Sequence, residues 1–120
     1  MLSEIYFFIN ERSQSPVKEF INSLPVQERA KVFAYISELK AQGHNLRRPM
    51  ADYLGRGIYE LRPHSHRLFY FFYLKDNVVI VHAMRKKTNK IPESDIKLCL
   101  KRKEKLESTN AHSQIERLEL

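Results

Sequence analysis

The sequence predicts an α+β domain: an N-terminal strand and an α-hairpin packed on a mainly antiparallel curved sheet, with a C-terminal helix. Three observations predict it. Two apolar stripes at helical spacing precede Gly43, three runs rich in aromatic and β-branched residues follow Gly57, and a proline-led amphipathic segment begins at Pro92. At 120 residues, 42% of them hydrophobic, the chain has the size of one compact domain and the apolar side chains to fill its core. The expected division is a folded domain over 1–107 and a polar tail over 108–120.

Residues 4–9, Glu-Ile-Tyr-Phe-Phe-Ile, have the composition of a first strand. Ser15 followed by Pro16 is an N-cap with proline at the first helical position, and Val17, Phe20, Ile21 and Leu24 recur at helical spacing. Pro25 restarts the pattern with Val26, Ala30, Phe33, Ile36 and Leu39, which Gly43 terminates. Residues 44–57 have a loop composition, and no regular element is expected there. The last helix opens at Pro92. Acidic Glu93 and Asp95 stand in its positive first turn, Lys101, Arg102, Lys103 and Lys105 lie toward its negative end, and Ile96, Cys99, Leu100 and Leu106 form its apolar stripe.

The runs Ile58 to Pro63, His66 to Lys75 and Val78 to Lys86 read as an antiparallel meander broken at His64-Ser65 and Asp76-Asn77. If both loops are even-membered, Leu61 opposes Leu68 and Tyr59 opposes Tyr70, while Leu74 opposes Val79, Phe72 Val81, Tyr70 Ala83 and Arg67 Lys86. One face then collects Tyr59, Leu61, Leu68, Tyr70, Phe72, Leu74, Val79, Val81 and Ala83, an uncharged surface for the helices to cover. The other collects Ile58, Glu60, Arg62, Arg67, Phe69, Phe71, His82, Met84 and Lys86.

This second face is the candidate site. The formal net charge is +7, and nine basic against three acidic side chains fall within residues 85–105, the electrostatic footprint of a polyanion binder. The expected register sets Arg62, Arg67 and Lys86 abreast on adjacent strands, a row that repels itself unless an anion such as phosphate neutralises it. Arg85, Lys87 and Lys90 add charge at the same edge. Phe69 and Phe71 either offer faces on which RNA bases stack or lie under the C-terminal helix. RNA brings its own 2′-hydroxyl nucleophile, so cleavage needs a base, an acid and a cationic clamp, without metal. His82 is the first candidate for proton transfer, with a packed histidine as the alternative. Glu60 is the second, with an ion pair orienting Arg62 as the alternative. His64 and His66 flank a turn and are expected to be exposed and idle. The longest apolar run, Leu68 to Leu74, is too short to span a membrane, and with no signal-like cleavage region a cytoplasmic protein is expected. A single cysteine excludes an internal disulfide.

The segments Gly57 to Arg62, Arg67 to Phe72 and His82 to Pro92 resemble the phage-derived HigB-like branch of the RelE/ParE toxin superfamily. The run Lys86-Lys87-Thr88, Lys90 and Pro92 matches that branch's Lys-Lys-Thr-x-Lys-x-Pro pattern. The resemblance implies a RelE-like fold and a type II toxin, an mRNA interferase that cleaves mRNA on the ribosome and is held inactive by a helix-turn-helix antitoxin. It implies no small-molecule cofactor and no membrane partner. By position, Arg62 and Arg67 correspond to phosphate-binding arginines, and Lys86 and Lys87 to the basic residues after the last strand. RelE proper has a tyrosine beyond that segment, whereas here none follows Tyr73. The expected activity is therefore a ribosome-dependent endoribonuclease with Arg62, Arg67, Lys86 and Lys87 as clamp and His82 or Glu60 in proton transfer. The alternatives are a ParE-like inhibitor that binds DNA gyrase without nuclease chemistry, and an inactive relative that serves only as the antitoxin's partner or corepressor.

Overall fold

The computed structural model describes residues 4–109 and 114–118. The expected architecture is present. Strand β1 (Glu4–Phe8) leads to helix α1 (Pro16–Asn22) and helix α2 (Val26–Gln42), followed by a single 3₁₀ turn at Gly43–Asn45. Strands β2 (Ala51–Gly55), β3 (Ile58–Leu61), β4 (His66–Tyr73) and β5 (Asn77–Arg85) precede helix α3 (Glu93–Thr109) and strand β6 (Ile115–Arg117). The six strands form one sheet in the order β2-β3-β4-β5-β1-β6, antiparallel except where β1 runs parallel to β5.

The N-terminus of α1 forms as its sequence requires. Ser15 has an extended backbone, its hydroxyl accepts a hydrogen bond from the Lys18 N–H, and Pro16 starts the helix. In α2 the buried stripe is Val32, Ile36 and Leu39, with Phe33 packed beside it. Val26 and Ala30, expected on that stripe, face solvent.

Two elements stand where none was expected. Strand β2 pairs with β3 from Ala51↔Leu61 to Gly55↔Ile58 and forms one free edge of the sheet. Its glycine-rich end hides a strand because Gly55 and Gly57 both take positive φ, which the tight β2–β3 reversal needs. Strand β6, within the segment expected as a polar tail, pairs with β1 through Tyr6↔Arg117 and Phe8↔Ile115 and forms the other edge.

The β3–β4 register is the expected one, with Tyr59↔Tyr70 and Leu61↔Leu68. The β4–β5 register is not. The chain reverses through three residues, Leu74 to Asp76, so Tyr73 opposes Asn77. An odd loop inverts the parity, so Val78 and Ile80 join the α2 side of the core, while Val79 and Val81 join Phe69, Phe71, Cys99 and Leu106 beneath α3. A β-bulge between Phe69↔His82 and Tyr70↔Ile80 leaves Val81 as the extra residue and restores the original parity. Arg67 therefore opposes Met84, not Lys86.

Both faces of β4 and β5 are buried, as expected for central strands covered by helices on either side. Removing a methylene-rich side chain from either layer leaves a cavity, so Ile80→Ala and Leu106→Ala are each expected to cost about 2–5 kcal/mol in denaturant unfolding. Leu74, placed in the core by the expected register, is 67% exposed. Leu74→Ser is expected to change stability by less than about 0.5 kcal/mol, and a core-sized loss would restore the even-loop register.

Candidate polyanion cleft and its acid–base neighbours

The end of the sheet where β3 stops and β4 starts gathers most of the expected site. Arg67 is only 7% exposed. Its Nη1 donates to the His64 carbonyl at 3.1 Å and the His66 carbonyl at 2.7 Å, so the guanidinium is fixed to its own turn. Burial lowers its pKa from the ordinary value, and the charge of Arg62 lowers it further against the opposing effect of Glu60. The shift leaves an arginine charged at neutral pH.

Glu60 lies between the two arginines, its Oε1 3.7 Å from Arg67 Nε and its Oε2 3.8 Å from Arg62 Nε. These separations are ion pairs and too long for hydrogen bonds. Glu60 Oε1 and Arg67 Nε are both buried without a hydrogen-bond partner. Two facing polar atoms in that condition are costly, so either gains when a third polar group enters.

Ser65, Arg67, Lys86, Lys87, Thr88 and Asn89 line an open cleft of about 290 Å³. Lys86 is held there by its N–H, which donates to the Ser65 carbonyl at 2.7 Å. The expected trio is thus rearranged. Arg67 and Lys86 meet in one cleft, with Lys86 just past the end of β5, two positions beyond the residue opposite Arg67, and Arg62 joins them through Glu60. Lys87 lines the cleft, and Lys90 is exposed in the same loop, where its carbonyl accepts from the Thr88 hydroxyl. Arg85 is not part of the cluster. It points to the opposite face, where its Nη2 lies 3.0 Å from Glu28 Oε1 on α2.

His82 lies one row farther along, in register with Phe69, which is itself in register with Glu60. Its ring stacks on Phe69 at 5.6 Å, and its Nε2 lies 2.7 Å from Asp95 Oδ1 in the first turn of α3. Asp95 is a functional neighbour that sequence reasoning missed, because the azimuth of α3 over the sheet decides which first-turn acid meets a strand. Phe69 and Phe71 are fully buried under α3, the alternative to base stacking. Much of the positive charge of α3 is structural: Arg102 donates to the Val81 carbonyl at 2.6 Å and covers the Phe8 ring, and Lys103 pairs with Glu107.

His66 differs from expectation. It is fully buried on the α2 side, its Nε2 2.6 Å from Glu28 Oε1 and its ring edge-on to Phe20. His64 is exposed. Among the described residues no three His, Cys, Asp or Glu side chains converge as a metal site, and no helix is long and apolar enough to cross a membrane.

A family model described as Phage derived protein Gp49-like (DUF891) matches residues 19–104, from within α1 through the sheet and most of α3. The chain belongs to the Gp49-like family. This is a RelE/toxin-like family, and its toxin character implies an antitoxin as partner of the Gp49-like chain. No match was found among curated proteins. The matched span of the Gp49-like fold contains Glu60, Arg62, Arg67, His82, Lys86, Lys87 and Asp95.

Two predictions follow from these environments. The hydrogen bond from His66, reinforced by Arg85, holds the Glu28 carboxyl below its ordinary 4.5 against desolvation. A lowered folded-state pKa stabilises above the unfolded value and is lost as pH falls through the folded one. Glu28→Gln is therefore expected to lower Tm at pH 7, with the gap to wild type closing in thermal scans below the carboxylate range; a pH-independent gap contradicts the ion pair. Burial pushes the Cys99 thiol up to about 12. At pH 8 a thiol reagent followed by mass spectrometry is expected to label Cys99 only in denaturant, and rapid native labelling would place the thiol at the surface.

Proposed function

We propose that this chain is a HigB-like toxin that cleaves mRNA on the ribosome in the cytoplasm, without metal, and is neutralised by a helix-turn-helix antitoxin. The observation that supports this most is Arg67. It is a nearly buried guanidinium, pinned by two main-chain carbonyls, at the side of an open cleft walled by Lys86 and Lys87. A fixed cation of this kind loses little side-chain entropy when it takes a phosphate and stabilises the charge that builds on the phosphorane.

The roles of the remaining residues derive from their places. Arg62, Arg67, Lys86 and Lys87 clamp the scissile phosphate, and Lys90 extends the attraction along the chain. Arg85, tied to Glu28 on the far face, contributes to the general field rather than to the clamp. Glu60 takes the proton of the 2′-hydroxyl, whose oxygen attacks phosphorus to form a 2′,3′-cyclic phosphate. The 5′-oxygen leaves with a proton from His82, which Asp95 orients. Glu60 is chosen as base because its unpartnered Oε1 already faces the clamp.

Induced expression tests the proposal. Wild-type protein is expected to deplete translated mRNA, and Arg67→Ala, Glu60→Gln and His82→Gln are expected to slow cleavage about 10²- to 10⁴-fold, the range for a positioned acid, base or charge donor. DNA-damage signalling with intact mRNA would instead identify a gyrase inhibitor, and full toxicity of Arg67→Ala would remove the clamp.

A further inference from the structure

A second concave basic site lies around the free edge of the sheet from the cleft. Leu46, Arg47, Arg48, Asp52, Tyr53 and Tyr59 line a groove of about 500 Å³. Tyr53 is 53% exposed, and it is the one exposed tyrosine or phenylalanine among the described residues. Its ring is nonetheless held. The hydroxyl accepts a hydrogen bond from the Gly57 N–H at 3.0 Å, and the ring leans on Tyr59 at 4.7 Å, which stacks in turn on buried Tyr70. A rigid aromatic plane open on one side is a stacking platform, because holding it flat costs no further ordering when a planar ligand arrives.

The cations beside it are ordered in the same manner as Arg67. Arg47 Nη1 donates to the carbonyls of His44 and Leu46, two groups of its own loop. The one carboxylate in the groove, Asp52, is taken by Arg48 at 2.7 Å, which holds its pKa below the ordinary value. The charge left over is positive.

Topology puts the groove and the cleft at the same end of the sheet, on either side of its β2 edge. The start of β2, the end of β3, the start of β4 and the end of β5 lie at one end of the sheet, so Arg47 and Arg48, Arg62, Arg67 and Lys86 with Lys87 follow one another along that rim. From β2 to β5 the rim spans three strand spacings, about 14 Å.

We infer that the groove of Arg47, Arg48, Tyr53 and Tyr59 is a base-stacking subsite for a single-stranded RNA segment that leaves the cleft and rounds the edge of β2 past Arg62. A base lies on the open side of Tyr53, and Arg47 takes the adjoining phosphate. The inference rests on the RNA-cleaving reading of the cleft and adds to it where the flanking chain goes.

The test is fluorescence anisotropy of the full chain with two labelled probes at low ionic strength, a dinucleotide and a single-stranded RNA of about ten nucleotides. Tyr53→Ala is expected to weaken the longer probe about 5- to 100-fold, the effect of losing one base–aromatic stack, and to leave the dinucleotide unchanged. Tyr53→Phe, which keeps the ring on Tyr59 but loses the tether to Gly57, is expected to weaken the longer probe less than Tyr53→Ala does, and Arg47→Ala to weaken it and flatten its salt dependence. Equal binding of the longer probe by wild type, Tyr53→Ala and Arg47→Ala overturns the subsite, as does unchanged RNA affinity with weakened antitoxin binding, which would make the groove a protein interface. The paired variant Lys86→Ala with Lys87→Ala separates the two readings. If it loses both probes while the Tyr53 and Arg47 variants lose neither, the cleft stands and the subsite falls. If it loses neither while Tyr53→Ala loses the longer probe, the cleft reading falls and the groove stands. A wild-type chain that binds neither probe overturns both.

Discussion

The β-bulge at Val81 sets which face of the sheet His82 and Lys86 share with Arg67 and Glu60. Without it, β5 would present alternate residues to alternate faces along its whole length. With it, neighbours Val81 and His82 both reach the α3 side, Val81 into the apolar cluster and His82 onto Phe69 and Asp95. The bulge carbonyl is satisfied from outside the sheet by Arg102, whose guanidinium also covers Phe8. One half-buried arginine of α3 thus stabilises the irregularity that orients His82.

The site built on this frame has two electrostatic regimes. Arg67 and Glu60 are desolvated, close, and imperfectly paired, an arrangement that stabilises the fold little and remains ready for a further polar partner. Lys86, Lys87 and Lys90 are wetter and attract at longer range, subject to salt. Buried groups of fixed geometry discriminate, and exposed ones recruit, so the combination suits the capture of a polyanion and its placement against a fixed cation.

The sequence made much of this legible, and the reasons for the rest are specific. The β3–β4 register was readable because a short polar turn separates two runs whose apolar residues must share a face. The β4–β5 register was misread because the reversal occurs at Leu74 and Lys75, which adopt positive φ although neither is a glycine or asparagine, while Asp76-Asn77 carries the more obvious turn composition. The odd loop and the bulge are two parity errors that cancel. For that reason His82, Met84 and Lys86 lie on the expected face while Val79 and Val81 do not. Strand β2 was hidden by glycines and arginines, and β6 by its polar composition. The burial of His66 was illegible because its partner, Glu28, stands 38 residues away on another element. The RelE/toxin-like character of the chain was readable from the same short segments that form the site, whereas Arg47 and Arg67 owe their geometry to main-chain carbonyls that no residue pattern announces.

The most direct measurement of the bulge is a methyl-resolved nuclear Overhauser spectrum of the isotopically labelled chain. The account predicts cross-peaks from the Val79 and Val81 methyls to Cys99 and Leu106 of α3, and from Val78 and Ile80 to Val32 and Ile36 of α2. Cross-peaks from Val79 and Val81 to α2 instead would show an even-looped strand without a bulge, and cross-peaks from the Ala83 methyl to α3 would show the odd loop without one; the second result would turn His82 and Lys86 to the α2 side, away from Arg67 and Glu60.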